Sequence, residues 1–297
     1  MPAAAFPAAA GVWWTSDEVP ITEVQRAAEE LEQLGYGSLW FGEAMGKEAL
    51  TQAGALLAAT RNLRVGTGIA NIHARDAIAA ESGSRTLSAL HPGRFLLGLG
   101  VSHAPLVQHR SGNYRKPLAT MREYLSRMDQ VPETVEPGAA RPPRLLAALG
   151  PKMLELSRDS ADGAHTYLVT PEHTARAREV LGPDKLLVVE QGVVLTTDEQ
   201  TALHRAHTHL DMYTGLPNYR NNWLRLGFHE DDLVRGGSER LARALVAWGK
   251  PEDIAARVRE QLDAGADHVV VQALGDERST DPLPALRELA PALTSGR

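Results

Sequence analysis

Two titratable side chains stand where a short apolar run gives way to glycine and polar residues. They are Glu43, just past Ser38–Phe41, and His103, just past Arg94–Gly100. His103 could take or give a proton near neutral pH, because imidazole titrates there without help. Two further stretches have the makings of an anion cradle. Gly100-Val101-Ser102 offers close backbone approach and a hydroxyl. Ala147-Ala148-Leu149-Gly150-Pro151-Lys152 offers a glycine, the free N–H groups of a helix start and one positive charge. The same Gly-Pro pair could equally do no more than turn a strand into a helix. Asn71 and His73 follow the third run, and an amide can both donate and accept. Trp13 and Trp14 close the first run; adjacent strand residues face opposite sides, so at most one of them can wall a pocket. His204, His207 and His209 share a helical segment, but His209 falls off the common face and no carboxylate completes a set. They read as a solvated helix face, and no metal is expected.

Apolar runs suited to strands position these residues. They recur at Gly11–Trp14, Ser38–Phe41, Leu63–Ile69, Arg94–Gly100, Arg144–Leu149, Ala164–Val169, Leu186–Leu195 and His268–Ala273. Several lack polar alternation, as parallel strands buried on both faces do. Helical segments separate them. Val24, Ala27, Ala28, Leu31 and Leu34 make one stripe that ends at Gly35, and Ile254, Val258 and Leu262 make another that ends at Gly265. Thr170-Pro171-Glu172 reads as a helix start. Eight strands with helical connectors predict an α/β fold, a (β/α)8 TIM barrel, with an open doubly wound sheet as the alternative. In such a barrel chemistry sits at the C-terminal strand ends, where the residues above lie. Between the seventh and eighth strands, about Thr197 to Lys250 forms an insertion with helices at Leu203–Tyr213 and Glu239–Trp248.

Composition narrows the function classes. The 297 residues include no cysteine, which excludes disulfides, thiolate metal sites and a thiol nucleophile. A net charge of -6 argues against nucleic acid or an anionic membrane as partner. No apolar run reaches the ~20 residues that span a bilayer. Residues 1–10 are rich in Ala and Pro and read as a disordered tail; residues 11–297 form one barrel domain, expected in the cytoplasm. Only five lysines occur, none within a predicted strand, which disfavours a Schiff-base barrel.

Five motifs occur in order over nearly the whole chain. They are Gly35-Tyr-Gly-Ser-Leu-Trp-Phe-Gly-Glu43, Gly66-Thr-Gly-Ile-Ala-Asn-Ile-His-Ala-Arg75, Pro92-Gly-Arg-Phe-Leu-Leu-Gly-Leu-Gly100, Leu146-Ala-Ala-Leu-Gly-Pro-Lys152 and Ala264-Gly-Ala-Asp-His-Val-Val271. With them the sequence resembles the bacterial luciferase-like superfamily, particularly its branch that uses the deazaflavin coenzyme F420. The resemblance implies a homodimeric (β/α)8 barrel with the coenzyme ring at its mouth. It implies a non-prolyl cis peptide, here at Gly68–Ile69, in a bulge that backs the ring. It implies that Glu43 and Asn71 lie near the ring, and that Gly100, Val101, Ser102 and Ala147–Lys152 lie near the coenzyme phosphate. Arg75 falls either to the coenzyme tail or to a carboxylate pair. Where some deazaflavin dehydrogenases have a histidine after the acidic residue, this chain has Ala44, which weakens a sugar-phosphate reading. Glu43 and His103 are then the nearest candidates for proton transfer, with Trp13, Trp14 and His73 as pocket walls.

The expectation is an F420-dependent oxidoreductase that moves a hydride between the deazaflavin and a small imine, ketone or activated alkene. The alternative is a flavin mononucleotide (FMN) monooxygenase on the same fold. A flavin-binding relative without activity is a further alternative.

Overall fold

The computed structural model describes residues 6, 10–110, 112, 114–132, 136–275 and 281–294. Nine parallel strands form the sheet: β1 (Ala10–Trp13), β2 (Ser38–Gly42), β3 (Arg64–Asn71), β4 (Phe95–Gly100), β5 (Arg144–Ala147), β6 (Gly163–Thr166), β7 (Leu186–Leu195), β8 (Val246–Gly249) and β9 (His268–Ala273). Eight of them close a ring in the order β1, β2, β3, β4, β5, β6, β7, β9, with β9 returning to β1. This is the (β/α)8 barrel expected from the alternation, and its eight strands are the eight runs read from the sequence.

The ninth strand corrects one reading. The helix placed at Glu239–Trp248 stops at Leu245, and Val246–Gly249 becomes β8, paired with Gly192–Leu195 of β7. The cause is non-local. β6 pairs β7 only as far as Val189, so the later residues of the ten-residue β7 would present a bare edge on that side. β8 covers it.

Helices form an outer layer through the stripes predicted for them. Val24, Ala27, Ala28 and Leu31 are the buried face of the helix Ile21–Gln33, and Ile254, Ala255 and Val258 that of the helix Pro251–Asp263. Thr170 caps the helix Pro171–Leu181 by accepting the His173 N–H. Trp14 joins this outer layer, whereas Trp13 points into the barrel.

The barrel interior is packed rather than hollow. Trp13 and Trp40 lie either side of His165, with centroid separations of 5.1 and 5.6 Å and near-parallel rings. The two glycines of Gly66-Thr-Gly68 make room for these indoles: a Cβ at Gly66 would stand 2.4 Å from Trp40, and one at Gly68 would stand 2.1 Å from Trp13. Below them Ser38 joins the Trp40 indole N–H to His268, at 2.8 and 2.7 Å. Phe6 stacks on His268 at 3.9 Å and closes the floor. Most of the N-terminal tail lies outside the described residues, but Phe6 is buried. No described helix is long and apolar enough to cross a membrane.

Candidate active site

At the mouth, β3 carries one more residue than either neighbour. Its pairing with β2 jumps from Phe41–Thr67 to Gly42–Ile69, and with β4 from Thr67–Leu97 to Ala70–Leu99. The bulge expected at Gly68–Ile69 is therefore present. The cis bond expected there is not, since the described residues contain no cis peptide. A register slip alone accommodates the extra residue.

Beside the bulge lies a cavity of about 280 Å³. Ile69 forms one wall, and the β4 end supplies Gly100, Val101, Ser102 and His103. The β5 end supplies Ala147, Ala148, Leu149 and Gly150, and the helix Pro151–Ser160 starts immediately after. Two loops far apart in sequence are thus brought together as read. Ser102 holds φ at +59°, a conformation uncommon for a residue with a side chain. The Leu149 carbonyl is anchored by His173 Nε2 at 2.9 Å. His103 precedes the helix Ala104–His109, and its ring lies 5.9 Å from that of Tyr219. Burial pushes its pKa below the ordinary imidazole value, so it is neutral at pH 7.

Other predicted residues stand elsewhere. Glu43 is buried, but its carboxylate accepts from the Asn71 N–H at 2.8 Å and the Ala49 N–H at 3.2 Å, and it pairs with Arg75. Arg75 also pairs with Glu48 at 2.6 Å, so of its two readings the structure has the carboxylate pair. Glu43 ties the ends of β2 and β3 together behind the cavity and is not on its wall. Asn71 Oδ1 accepts from the His73 N–H at 2.9 Å, while its Nδ2 is buried with no partner. His73 stands 6.5 Å from Tyr114, beside the cavity. Lys152 is exposed and, like Pro151, off the wall. Trp13 lies beneath the cavity, and Trp14 is on the far side of the sheet.

The residues missed from sequence come mainly from β6 and the insertion. His165, Tyr167, Asn218, Tyr219 and Arg225 line the cavity, with Tyr114 from the stretch after β4. Arg225 Nη2 comes within 3.6 Å of the point where a Gly150 Cβ would be, so a guanidinium stands beside the β5 loop where Lys152 was expected. His165 Nδ1 faces the Val188 carbonyl at 3.2 Å, and burial lowers its pKa to about 4. His209 is not on a solvated face; its ring packs 5.5 Å from Tyr213 and 6.3 Å from Tyr167. A signal for this wall did exist. In a chain with 5% aromatics, Tyr213, Tyr219, Trp223, Phe228 and Trp248 all fall within the insertion.

This arrangement can hold an extended molecule. Its walls would offer small residues, a cation, an aliphatic bulge, phenols and an imidazole. Comparison with known proteins identifies the family. A Mycobacterium tuberculosis protein provisionally named a coenzyme F420-dependent oxidoreductase is 27% identical over 248 residues, which span 69% of this chain and 71% of that one. An F420-dependent secondary alcohol dehydrogenase, solved with an F420–acetone adduct, superposes with a TM-score of 0.76 at 15% identity, covering 96% of this chain and 99% of that one. The oxygenating constituent of 3,6-diketocamphane monooxygenase from Pseudomonas putida, solved with FMN, gives 0.71 at 15% identity and 97% coverage of both. At such identities these two structures speak for the fold alone. The family model for luciferase-like monooxygenases matches residues 4–268, and with that match over most of its length the chain belongs to this family of enzymes.

Proposed function

We propose that this protein is a coenzyme F420-dependent oxidoreductase acting on a small organic molecule, either a ketone, imine or activated alkene or the corresponding reduced compound. The observation that carries the reading is the cavity itself. It runs from a bulge at Ile69 across the bare ends of β4 and β5 to a helix start with a guanidinium beside it. The named activity of the mycobacterial relative supports the choice of coenzyme.

The residues fit such a coenzyme. Asn71 Nδ2, at the end of the bulged strand, is a buried donor without a partner beside the proposed ring site, although Asn71 itself is off the cavity wall. Ile69 would back the ring, Gly100–Ser102 and Ala147–Gly150 would admit the chain that follows it, and Arg225 would meet its phosphate. Bound deazaflavin supplies a two-electron hydride donor or acceptor that reacts poorly with oxygen. The protein would hold the substrate beside the coenzyme and handle a proton. His103, neutral at pH 7, would take the proton of a substrate hydroxyl in oxidation and return it in reduction. Glu43 would act at one remove, holding the Asn71 backbone N–H and so the end of the bulged strand in place. Ala44 in place of a histidine speaks against a sugar-phosphate substrate.

The FMN-dependent monooxygenase is kept as a second reading because the FMN-bound neighbour has the same fold. Titrating the purified protein with F420 and with FMN separates the two. Preferred F420 binding, followed by turnover of reduced F420 with cyclohexenone, acetone or a cyclic imine, is the expected result. Preferred FMN binding with oxygen-dependent turnover would overturn it. A homodimer is also proposed, as the family resemblance implies, and light scattering tests it.

A further inference from the structure

Leu168, two residues beyond β6, holds φ at +53°. A leucine rarely adopts this left-handed conformation, because its Cβ crowds the following carbonyl. Two fully buried side chains grip it. The Leu168 N–H donates to Glu190 Oε2 at 3.0 Å, and the Leu168 carbonyl accepts from the Trp223 indole N–H at 3.2 Å. Glu190 comes from β7, and Trp223 from the insertion helix Pro217–Arg225.

The residue that this turn aims is Tyr167, which lines the cavity. Its hydroxyl donates to Gln272 Oε1 at 2.7 Å and accepts from the Tyr213 hydroxyl at 3.2 Å. Tyr219 stands edge-on to both, 6.4 Å from Tyr167 and 4.9 Å from Tyr213. Tyr167 and Tyr219 thus line the cavity where a substrate would lie, with Tyr213 bonded to the first and packed against the second from outside the lining.

We propose that Glu190 and Trp223 are positioning residues for a substrate-facing tyrosine wall. By gripping Leu168 from both sides they keep its left-handed turn, and the turn keeps Tyr167 on the wall. Released, Leu168 relaxes to an ordinary conformation and Tyr167 swings out of register with Tyr213 and Tyr219. The grip suits an acid. Burial raises the Glu190 pKa to about 8, so at neutral pH the side chain is uncharged, with its proton on the unpartnered Oε1 and Oε2 left to accept. A wall of phenols over a neutral acid carries no fixed charge, so it fits an uncharged carbonyl compound or alcohol rather than a phosphate ester. The substrate assignment rests on the oxidoreductase reading above; the grip does not.

Two measurements test it. The first is hydrogen exchange of the Leu168 amide, which needs no ligand. Glu190→Met should speed it at least tenfold, whereas Glu190→Gln, which keeps an acceptor, should leave it protected. The second is kinetic, with reduced F420 and cyclohexenone. Glu190→Met should raise the KM for cyclohexenone about tenfold with the Kd for F420 within twofold, and Trp223→Phe should raise that KM about threefold. Adding Leu168→Gly to Glu190→Met should bring the KM back to within threefold of the starting protein, since glycine adopts a positive φ unaided. Unchanged exchange in Glu190→Met, or a KM that the added glycine does not restore, would overturn the grip. If the unaltered protein neither binds F420 nor reduces cyclohexenone, the oxidoreductase reading falls and the exchange result alone decides the grip.

Discussion

The two sides of the mouth are built from different material. The side formed by β3, β4 and β5 is rich in small residues: Gly100, Ser102, Ala147, Ala148 and Gly150 leave much of the main chain open, with Ile69, Val101, His103 and Leu149 between them. The side formed by β6, β7 and the insertion is almost all side chain: Tyr167, Tyr213, Tyr219, Trp223, His209 and Glu190, joined by hydrogen bonds and ring contacts. A backbone surface suits a ligand that never changes, because small residues leave the main chain as the contact. A side-chain surface can be revised one residue at a time. On the function proposed above, the coenzyme would lie mainly along the first side, with Arg225 reaching over from the insertion, and the substrate would lie mainly against the second.

Four variants break or sharpen that contrast. Gly68→Val should have the largest effect, because its Cβ would fall 2.1 Å from Trp13 and 3.2 Å from His165. Overpacking of this kind costs about 3 kcal/mol, and titration should show F420 affinity down by about a hundredfold or more. A folded protein with unchanged affinity would mean the backbone side does not hold the ring. Next is Glu190→Gln, read as stability against pH. The Glu190 carboxyl titrates near pH 8 when folded and near 4.5 when unfolded, so between those values the folded state holds a proton that the unfolded chain has released. Stability then falls as pH rises through that window and levels off above it. Gln has no such slope, so denaturant titrations should show the variant gaining about 4 kcal/mol on the unaltered protein between pH 5 and 8.5. A constant difference would mean Glu190 is ionised throughout. Arg225→Ala should weaken F420 binding about tenfold, with the loss shrinking at high salt, as expected for one guanidinium on a phosphate. Lys152→Ala should change it less than twofold, since that ammonium is exposed and off the wall. A larger effect at Lys152 than at Arg225 would reverse the order of the two cations.

The same contrast explains what could be read in advance. Glycines that admit backbone or bulky neighbours leave local marks, so the β4 and β5 loops were found, as was the bulge at Gly68–Ile69. The cis bond came with the resemblance, and a slipped register with a trans bond serves instead. The barrel was legible because each strand is a short apolar run between capped helices. β8 was not: Val246-Ala-Trp-Gly249 continues the period of Leu241, Ala242 and Leu245, and only the uncovered edge of β7 turns it into a strand. Arg225 and Glu190 gave no sign either. One is an exposed arginine whose neighbour, Gly150, lies 75 positions away, and the other is a lone acid in an apolar run. Glu43 was legible as a residue of interest but not in its contacts, because the sequence does not say that Arg75 returns to it.

The fork at β7 determines where this chain can be recombined. Gly192 and Val193 are shared, pairing with Gln272 and Ala273 of the barrel on one side and with Val246 and Ala247 on the other. The insertion is therefore sewn into the sheet and does not dangle from its rim. A crossover at Leu195 would part β8 from the strand it covers. The unit that can be exchanged with its pairing intact is instead the block from the middle of β7 through Gly249. A chimera that takes the whole block from a relative keeps both seams intact, and one that takes only the intervening helices inherits a frayed edge.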